Sequence, residues 1–286
     1  MLTKPVYIEK ATATFELTND QCQLKEPDYK RMIPNATLRR RMSRIVRMGV
    51  ATGLQCLEES TTPVDAILTA TGLGCLADTE KFMDTILVHN EELLAPTAFI
   101  QSTFNTIGAQ IALLTGNHSY NNTYVHRAFS LESALLDGGM LLGEEEASSV
   151  LVGAVDEMTP ALQTILGRMG CWKKYKPGEG AAFFLLSGSP SAKSLVEIRD
   201  MELFSGCFTE KEMADRMARF LRHNGAGDAQ IILPDTYKPY CGEYPTAMSF
   251  ALWYSCSWMK DSDDTRPVLL CNSFLNNHSF LLIKKV

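Results

Sequence analysis

The sequence is poor in several features that would each have announced a class of protein. No apolar run approaches the roughly 18 residues that cross a bilayer. The opening stretch, Met1 to Thr14, lacks the basic start, apolar core and small-residue cleavage site of a signal peptide, so a cytoplasmic location is expected. Eight cysteines (Cys22, Cys56, Cys75, Cys171, Cys207, Cys241, Cys256 and Cys271) stand singly, with no CxxC pair. That argues against a zinc ribbon or a redox pair and for buried, small, hydrophobic side chains. The five histidines (His89, His118, His126, His223 and His278) form neither HxxxH nor HExxH, so no metal is expected, and no cofactor. No GxSxG elbow occurs. Without a secretion signal, the sequons at Asn35, Asn117, Asn121 and Asn277 read as chance. Net positive charge is lacking too: at −6 the chain is a poor partner for nucleic acid.

What is present is an ordinary globular composition, 45% hydrophobic and 21% charged over 286 residues, with mean hydropathy near zero. One basic run breaks the acidic balance. Arg39, Arg40, Arg41, Arg44 and Arg47 would set positions 40, 44 and 47 on one helical face. Such a face is either solvated and salt-bridged, or a landing site for an acidic partner such as an acyl carrier protein.

Periodicity predicts strands over 1–11, 65–71, 122–128, 148–155, 181–186, 194–204, 230–233, 267–271 and 279–283. It predicts helices over 43–57, 81–90, 102–115, 131–142, 210–222 and 246–259. A polar stretch with turn residues fills the region up to about Asn35, and Gly116 is placed to stop a helix. Buried strands alternating with helices imply an α/β protein with mixed sheets covered on both faces. No linker appears, so one domain of 1–286 is expected, with a break near 187–193 dividing it into halves of 1–187 and 188–286. Gly72-Leu-Gly74-Cys75-Leu76-Ala77 follows a predicted strand and matches a dinucleotide fingerprint, but no acidic residue follows a second strand at the proper distance.

Six segments carry a more specific message. Ser102-Thr103-Phe104-Asn105 leads into a helix of small residues that includes Gly108. Phe129-Ser130-Leu131-Glu132 follows a strand and opens a helix. Ser149 to Glu157 is a strand ending in Val152-Gly153-Ala154-Val155-Asp156-Glu157. Then come Gly178-Glu179-Gly180, Lys238-Pro239-Tyr240-Cys241-Gly242-Glu243, and Asn272-Ser273-Phe274. In this order they resemble the β-ketoacyl synthase family, whose fold is thiolase-like: α/β, two pseudo-repeated halves, mixed β-sheets layered between helices.

The resemblance also shows what is missing. Active members carry a cysteine where Phe129 stands, and phenylalanine is no nucleophile. The second family histidine falls on Glu243, and the segment for the first is absent, since Ile231 runs almost directly into Lys238. Lys238, the family lysine, is retained. Leu275-Asn276-Asn277-His278 replaces the glycine-rich loop expected after Asn-Ser-Phe. The chain is shorter than ordinary ketosynthases, mostly in its second half. The resemblance therefore implies a compact subunit without condensing chemistry, like the chain length factors that accompany active ketosynthases in fatty acid, polyketide or aryl polyene biosynthesis. It implies a heterodimer with an active ketosynthase, or a homodimer, and a carrier protein as a further partner. Ser102, Thr103, Phe104, Asn105 and Gly108 would then face the partner and the growing chain, while Phe129 packs into the vacated site. The alternative is an enzyme that uses Cys75, Cys171 or Cys241 as acyl acceptor, with Glu243 as a base of raised pKa.

Overall fold

A computed structural model describes every residue except Met1, Thr3, Asn19, Asp20, Glu59, Thr61, Thr62 and Leu93. The chain opens with β1 (Val6–Ala13), the hairpin β2 (Phe15–Thr18) and β3 (Gln21–Leu24), and three helices: α1 (Tyr29–Met32), α2 (Ala36–Arg41) and α3 (Arg44–Leu57). Next come β4 (Ala66–Ala70), α4 (Leu76–Val88), α5 (Pro96–Ser102), α6 (Thr106–Thr115) and β5 (Tyr120–Tyr124). A 3-10 turn at Arg127–Phe129 leads into α7 (Ser130–Gly143), β6 (Ser149–Asp156), α8 (Pro160–Arg168) and β7 (Gly180–Ser187). The remainder is β8 (Val196–Ser205), α9 (Glu210–His223), β9 (Gln230–Ile232), α10 (Pro234–Cys241), α11 (Met248–Asp261), β10 (Val268–Phe274) and β11 (Asn277–Lys285).

Nine strands form one mixed sheet in the order β5-β4-β6-β7-β1-β8-β11-β10-β9. β1 is the splice. Tyr7 to Ala13 pair antiparallel with β7, whereas Val6 to Ile8 pair with β8, and a register shift falls between Ile8 and Lys10. The section β5-β4-β6-β7 thus comes from residues up to Ser187, and β8-β11-β10-β9 from Val196 onward.

Side-chain alternation along the strands builds the layers. In β6, Val150, Val152 and Ala154 join α7 and α11 in one core, while Leu151 and Val155 join α3 and α6 in a second. In β11, Leu281 and Ile283 belong to the first core, and Phe280 and Leu282 pack with Phe220 and Leu221 of α9 in a third. α7 and α11 therefore lie between the two sheet sections, with α3 and α6 outside one and α9 outside the other. This is the thiolase-like layering that the sequence led one to expect.

Several boundaries differ from expectation, each for a local reason. The helix expected over 102–115 is two helices, broken at Thr103 to Asn105, with Pro96 opening the first. The arginines do not share one helical face, because the chain breaks at Met42 between α2 and α3. The polar stretch before Asn35 holds the β2–β3 hairpin and α1, the latter capped by Asp28. α4 begins at Leu76 rather than near Lys81, and β5 occupies 120–124 rather than 122–128. Of the residues expected in the first strand, Met1 and Thr3 lie outside the described residues. Gly116 does stop a helix, in the left-handed conformation at φ 63°.

The outer core depends on one close approach. A Cβ on Gly153 would stand 2.0 Å from the Phe183 ring, and one on Gly53 would stand 3.2 Å from the same ring on the α3 side. Phe183 is thus clasped between two glycines and has nowhere to swing. Gly153→Ala is expected to overpack this contact by about 1–3 kcal/mol, read as a lowered thermal midpoint, and Phe183→Leu in the same background is expected to restore part of it.

Candidate functional site

Contacts tie the diagnostic segments together in two groups: around the loop after β4, Phe104 lies over Gly74, Asp156 accepts from Gly72 and Ser130 donates to Thr71 O, while Gly178 packs on Gly242 and Lys238 reaches Ser273 O. Phe129 is the residue before α7, with φ −107° and no side-chain cap, and it is half-buried rather than part of the core. Arg127 precedes it at φ 52°, a left-handed conformation that is uncommon in a residue with a side chain. The turn is pinned by Ser130. Its buried Oγ lies 2.8 Å from Thr71 O and 2.9 Å from Arg127 O, and accepts the His126 N–H at 2.8 Å. These contacts tie the start of α7 to the end of β4.

A buried ion pair joins α10 to the segment after it and to β10. Lys238 Nζ donates to Glu243 Oε1 at 2.7 Å, to Oε2 at 2.9 Å and to Ser273 O at 2.6 Å. These acceptors occupy the donor capacity of the ammonium group. The Tyr175 ring lies 5.5 Å away. The lysine side chain is fully buried and the carboxyl nearly so. Burial lowers the lysine's pKa and raises the carboxyl's, and each partner opposes the other's shift. At these distances the pair is an ion pair rather than a free acid and a free base.

Two glycine-bearing segments make this geometry fit. A Cβ on Gly178 would stand 2.2 Å from Cys241 O, and Gly242 sits at φ 78° with Gly178 Cα directly against it. The Gly178 N–H donates to Glu243 O at 3.0 Å and the Glu243 N–H to Lys176 O at 2.8 Å. Gly178-Glu179-Gly180 and Lys238 to Glu243 are therefore two backbones pressed together, which only glycine permits.

Two carboxylates lie inside the diagnostic segments but were given no role from sequence. Asp156, at the end of β6, accepts from Thr71 Oγ1 (3.1 Å), Gly72 N (2.8 Å), Thr246 N (3.0 Å) and Thr246 Oγ1 (2.7 Å). It clamps the β4 loop to the segment that enters α11. Glu132, one turn into α7, is buried and accepts Ser279 Oγ of β11 at 2.5 Å, and burial pushes its carboxyl up to about 7. A glutamate among apolar helix positions was the only signal for it. The dinucleotide fingerprint also has a structural explanation: the Ala77 N–H at the start of α4 is taken by Glu157 Oε1 at 2.9 Å, so a side chain of the chain itself fills the anion position.

The expected interface residues divide. Ser102 and Thr103 are half-buried, with hydroxyls donating to Phe99 O and Ile100 O. Phe104 and Asn105 are exposed, and the Phe104 ring lies over Gly74. Gly108 does not face outward: it is buried against Thr69 and Asn121 of its own chain, where a Cβ would stand 2.9 Å from Asn121 Oδ1. Among the candidate thiols, Cys75 and Cys241 are buried, and burial pushes both well above the ordinary thiol range. Cys241 Sγ donates to Gly242 O at 3.3 Å. Cys171 is half-buried in the turn after α8, and Cys207, expected inside, is exposed. Among the described residues no group of His, Cys, Asp and Glu side chains is placed to hold a metal ion, and no helix is long and apolar enough to cross a membrane.

Two outcomes follow. Glu243→Gln strands a buried ammonium and is expected to cost about 3–5 kcal/mol, whereas Lys238→Met with Glu243→Leu is expected to restore most of that stability, as measured by urea unfolding. Glu132 holds its proton in the folded chain up to about pH 7, while the unfolded chain releases it near the ordinary glutamate value of 4.5. Its contribution is therefore full below pH 4.5 and is lost as pH rises through 7. Between pH 5 and 8 the wild type is expected to lose about 2–3 kcal/mol more than E132Q.

The geometry agrees with comparison to known proteins. Residues 16–170, just over half of the chain, match the family described as beta-ketoacyl synthase, N-terminal domain. No curated protein matches significantly. Among solved structures, the ishigamide ketosynthase/chain length factor superposes with a TM-score of 0.78 at 13% identity, covering 99% of both chains. A beta-ketoacyl synthase from Burkholderia phymatum STM815 gives 0.73 at 12%, covering 99% of this chain and 100% of that one. The complex of the ketosynthase ApeO with its chain length factor ApeC from Xenorhabdus doucetiae gives 0.59 at 14%, covering 98% and 99%. With the thiolase-like layers, the contacting segments and the matching N-terminal domain in place, the chain belongs to the β-ketoacyl synthase family.

Proposed function

We propose that this chain is a non-condensing, chain-length-factor-like subunit that pairs with an active β-ketoacyl synthase in fatty acid, polyketide or aryl polyene type biosynthesis. The observation that carries this reading is the distribution of apolar surface. Nine of the 18 exposed large apolar side chains among the described residues fall between Met83 and Tyr120. They sit on α4, α5, the break after α5, α6 and β5, one of the two edge strands of the sheet. A concentration of this kind on one stretch of chain marks an interaction face, and an unpaired strand edge beside it offers backbone hydrogen bonds to a partner.

The buried side supports the same reading. Condensation needs a thiolate at the start of α7 and a free acid or base opposite it. Here Phe129 stands at the first position and the lysine is held by Glu243. The alternative acyl acceptor, Cys241, is buried, donates to Gly242 O, and has its thiol pushed up by its surroundings. Phe104 and Asn105, exposed at the break between α5 and α6, are the residues best placed to meet a partner and its growing chain.

The test is reconstitution with the ketosynthase of the same gene cluster, its acyl carrier protein and malonyl substrate. The expected result is a stable heterodimer whose product length or yield depends on this chain, no product from this chain alone, and complete loss when the partner's cysteine is replaced by alanine. Condensation or acyl-adduct formation by this chain alone, or a chain that never associates with the ketosynthase and never alters its products, overturns the reading.

A further inference from the structure

One excursion of the chain is charged unlike the rest. Residues 158–178 hold no aspartate or glutamate but carry Arg168, Lys173, Lys174 and Lys176, in a chain whose net charge is −6. The same excursion contains α8, and none of the nine residues of that helix is buried. Leu162, Ile165, Leu166 and Met169 follow helical spacing and form one apolar stripe. Leu162 and Leu166 are half-buried, whereas Ile165 is 56% and Met169 68% exposed.

The excursion is anchored at both ends. Thr159 caps α8 by accepting the Leu162 N–H at 3.1 Å, and its own hydroxyl donates to Glu80 Oε1 at 2.7 Å. At the other end Lys176 O accepts the Glu243 N–H at 2.8 Å, beside the close approach of Gly178 and Gly242. Between them the Trp172 indole N–H donates to Gln163 O at 2.9 Å and folds the turn back along α8. Lys174 and Tyr175 are both engaged by Asp235. Arg168, Lys173 and Lys176 are exposed and, among the described residues, join no ion pair. Arg168 lies three residues on from Ile165, so it flanks the stripe.

We propose that α8 and the basic turn after it form a peripheral membrane contact for an anionic phospholipid surface. Ile165 and Met169 enter the acyl boundary, and Arg168, Lys173 and Lys176 meet the lipid phosphates. Amphipathic helices flanked by lysine and arginine bind such surfaces by adding apolar burial to electrostatic attraction. Long basic side chains suit the task, because their stems lie on apolar surface while their heads stay among the phosphates. An acidic protein surface would match the charges alone, whereas a lipid interface takes the exposed apolar pair and the charges together. The clearance of acidic residues from the excursion serves the same end, since each would be repelled by the anionic layer. The contact does not depend on the partner reading above.

The experiment is co-sedimentation of the full chain with vesicles of phosphatidylcholine alone, or of phosphatidylcholine with about 30% phosphatidylglycerol, at about 50 and about 300 mM salt. The variants are K173S with K176S, and I165S with M169S, each pair with its thermal midpoint checked. The wild type is expected to sediment with the anionic vesicles at low salt and to be released at high salt. The double lysine variant is expected to bind at least about tenfold more weakly, with a shallower salt dependence. The apolar variant is expected to bind more weakly while keeping its salt dependence. A wild type that binds neither vesicle, or both equally, overturns the proposal, and so do folded variants that bind like the wild type. Loss of binding to an acyl carrier protein or a ketosynthase in these variants, with no vesicle binding by the wild type, makes α8 a protein-docking surface instead and overturns it too.

Discussion

The ion pair between Lys238 and Glu243 is the constraint around which the interior is organised. A buried ammonium is tolerated only when every donor is met, and here a bidentate carboxylate and the Ser273 carbonyl meet them. To reach that arrangement, the Gly178 and Gly242 backbones must touch, Gly242 must take a positive φ, and β10 must present Ser273 O to the lysine. A lysine whose hydrogens are all committed, and a carboxylate committed to that lysine, are poor proton-transfer groups.

Asp156 performs the matching task on the other side of α11. By accepting four hydrogen bonds it joins the end of β4 to Thr246, and Ser130 joins the same β4 loop to the start of α7. α7 is thereby held at its N-terminus, and through Glu132 and Ser279 it is attached to the second sheet section as well. The helix that would present a nucleophile in a condensing enzyme is here a rigid strut. Its other face lies under β5, beside the exposed apolar surface. On the proposed reading, the reacting position of condensing enzymes is closed here, and the exposed apolar face is where a second chain would sit.

Much of this was legible in the sequence because it rests on periodicity. α3, β4, α7, β6, β7 and α9 follow directly from apolar spacing, and the order of the six segments carried the family. What was not legible depends on contacts between distant residues. α10 has Pro239 within it and so does not read as a helix. The β2–β3 hairpin is short, with Phe15 entering the core against Phe250 and Trp253 and Cys22 packed against the same core. Glu243 was recognised as a replaced histidine, but nothing in the spacing said that it would bind Lys238 from five residues away. The family resemblance implied that Gly108 would face a partner. The real reason for this glycine is the close approach of α6 to β4 and β5. Asp156 and Glu132 were invisible as a clamp and a buried acid, since both roles exist only once strands far apart in sequence are side by side.

On the proposed reading, function resides in a face centred on β5 and not in the buried pair. Amide hydrogen exchange of this chain with and without an active ketosynthase tests that most directly, because it reads the face and the interior in one experiment. The account predicts strong new protection of the amides of β5 and of the segment joining α5 to α6, with the segment from Lys238 to Glu243 already protected in the free chain and unchanged. Protection confined to the Lys238 segment or the start of α7, with β5 still exchanging freely, would contradict it.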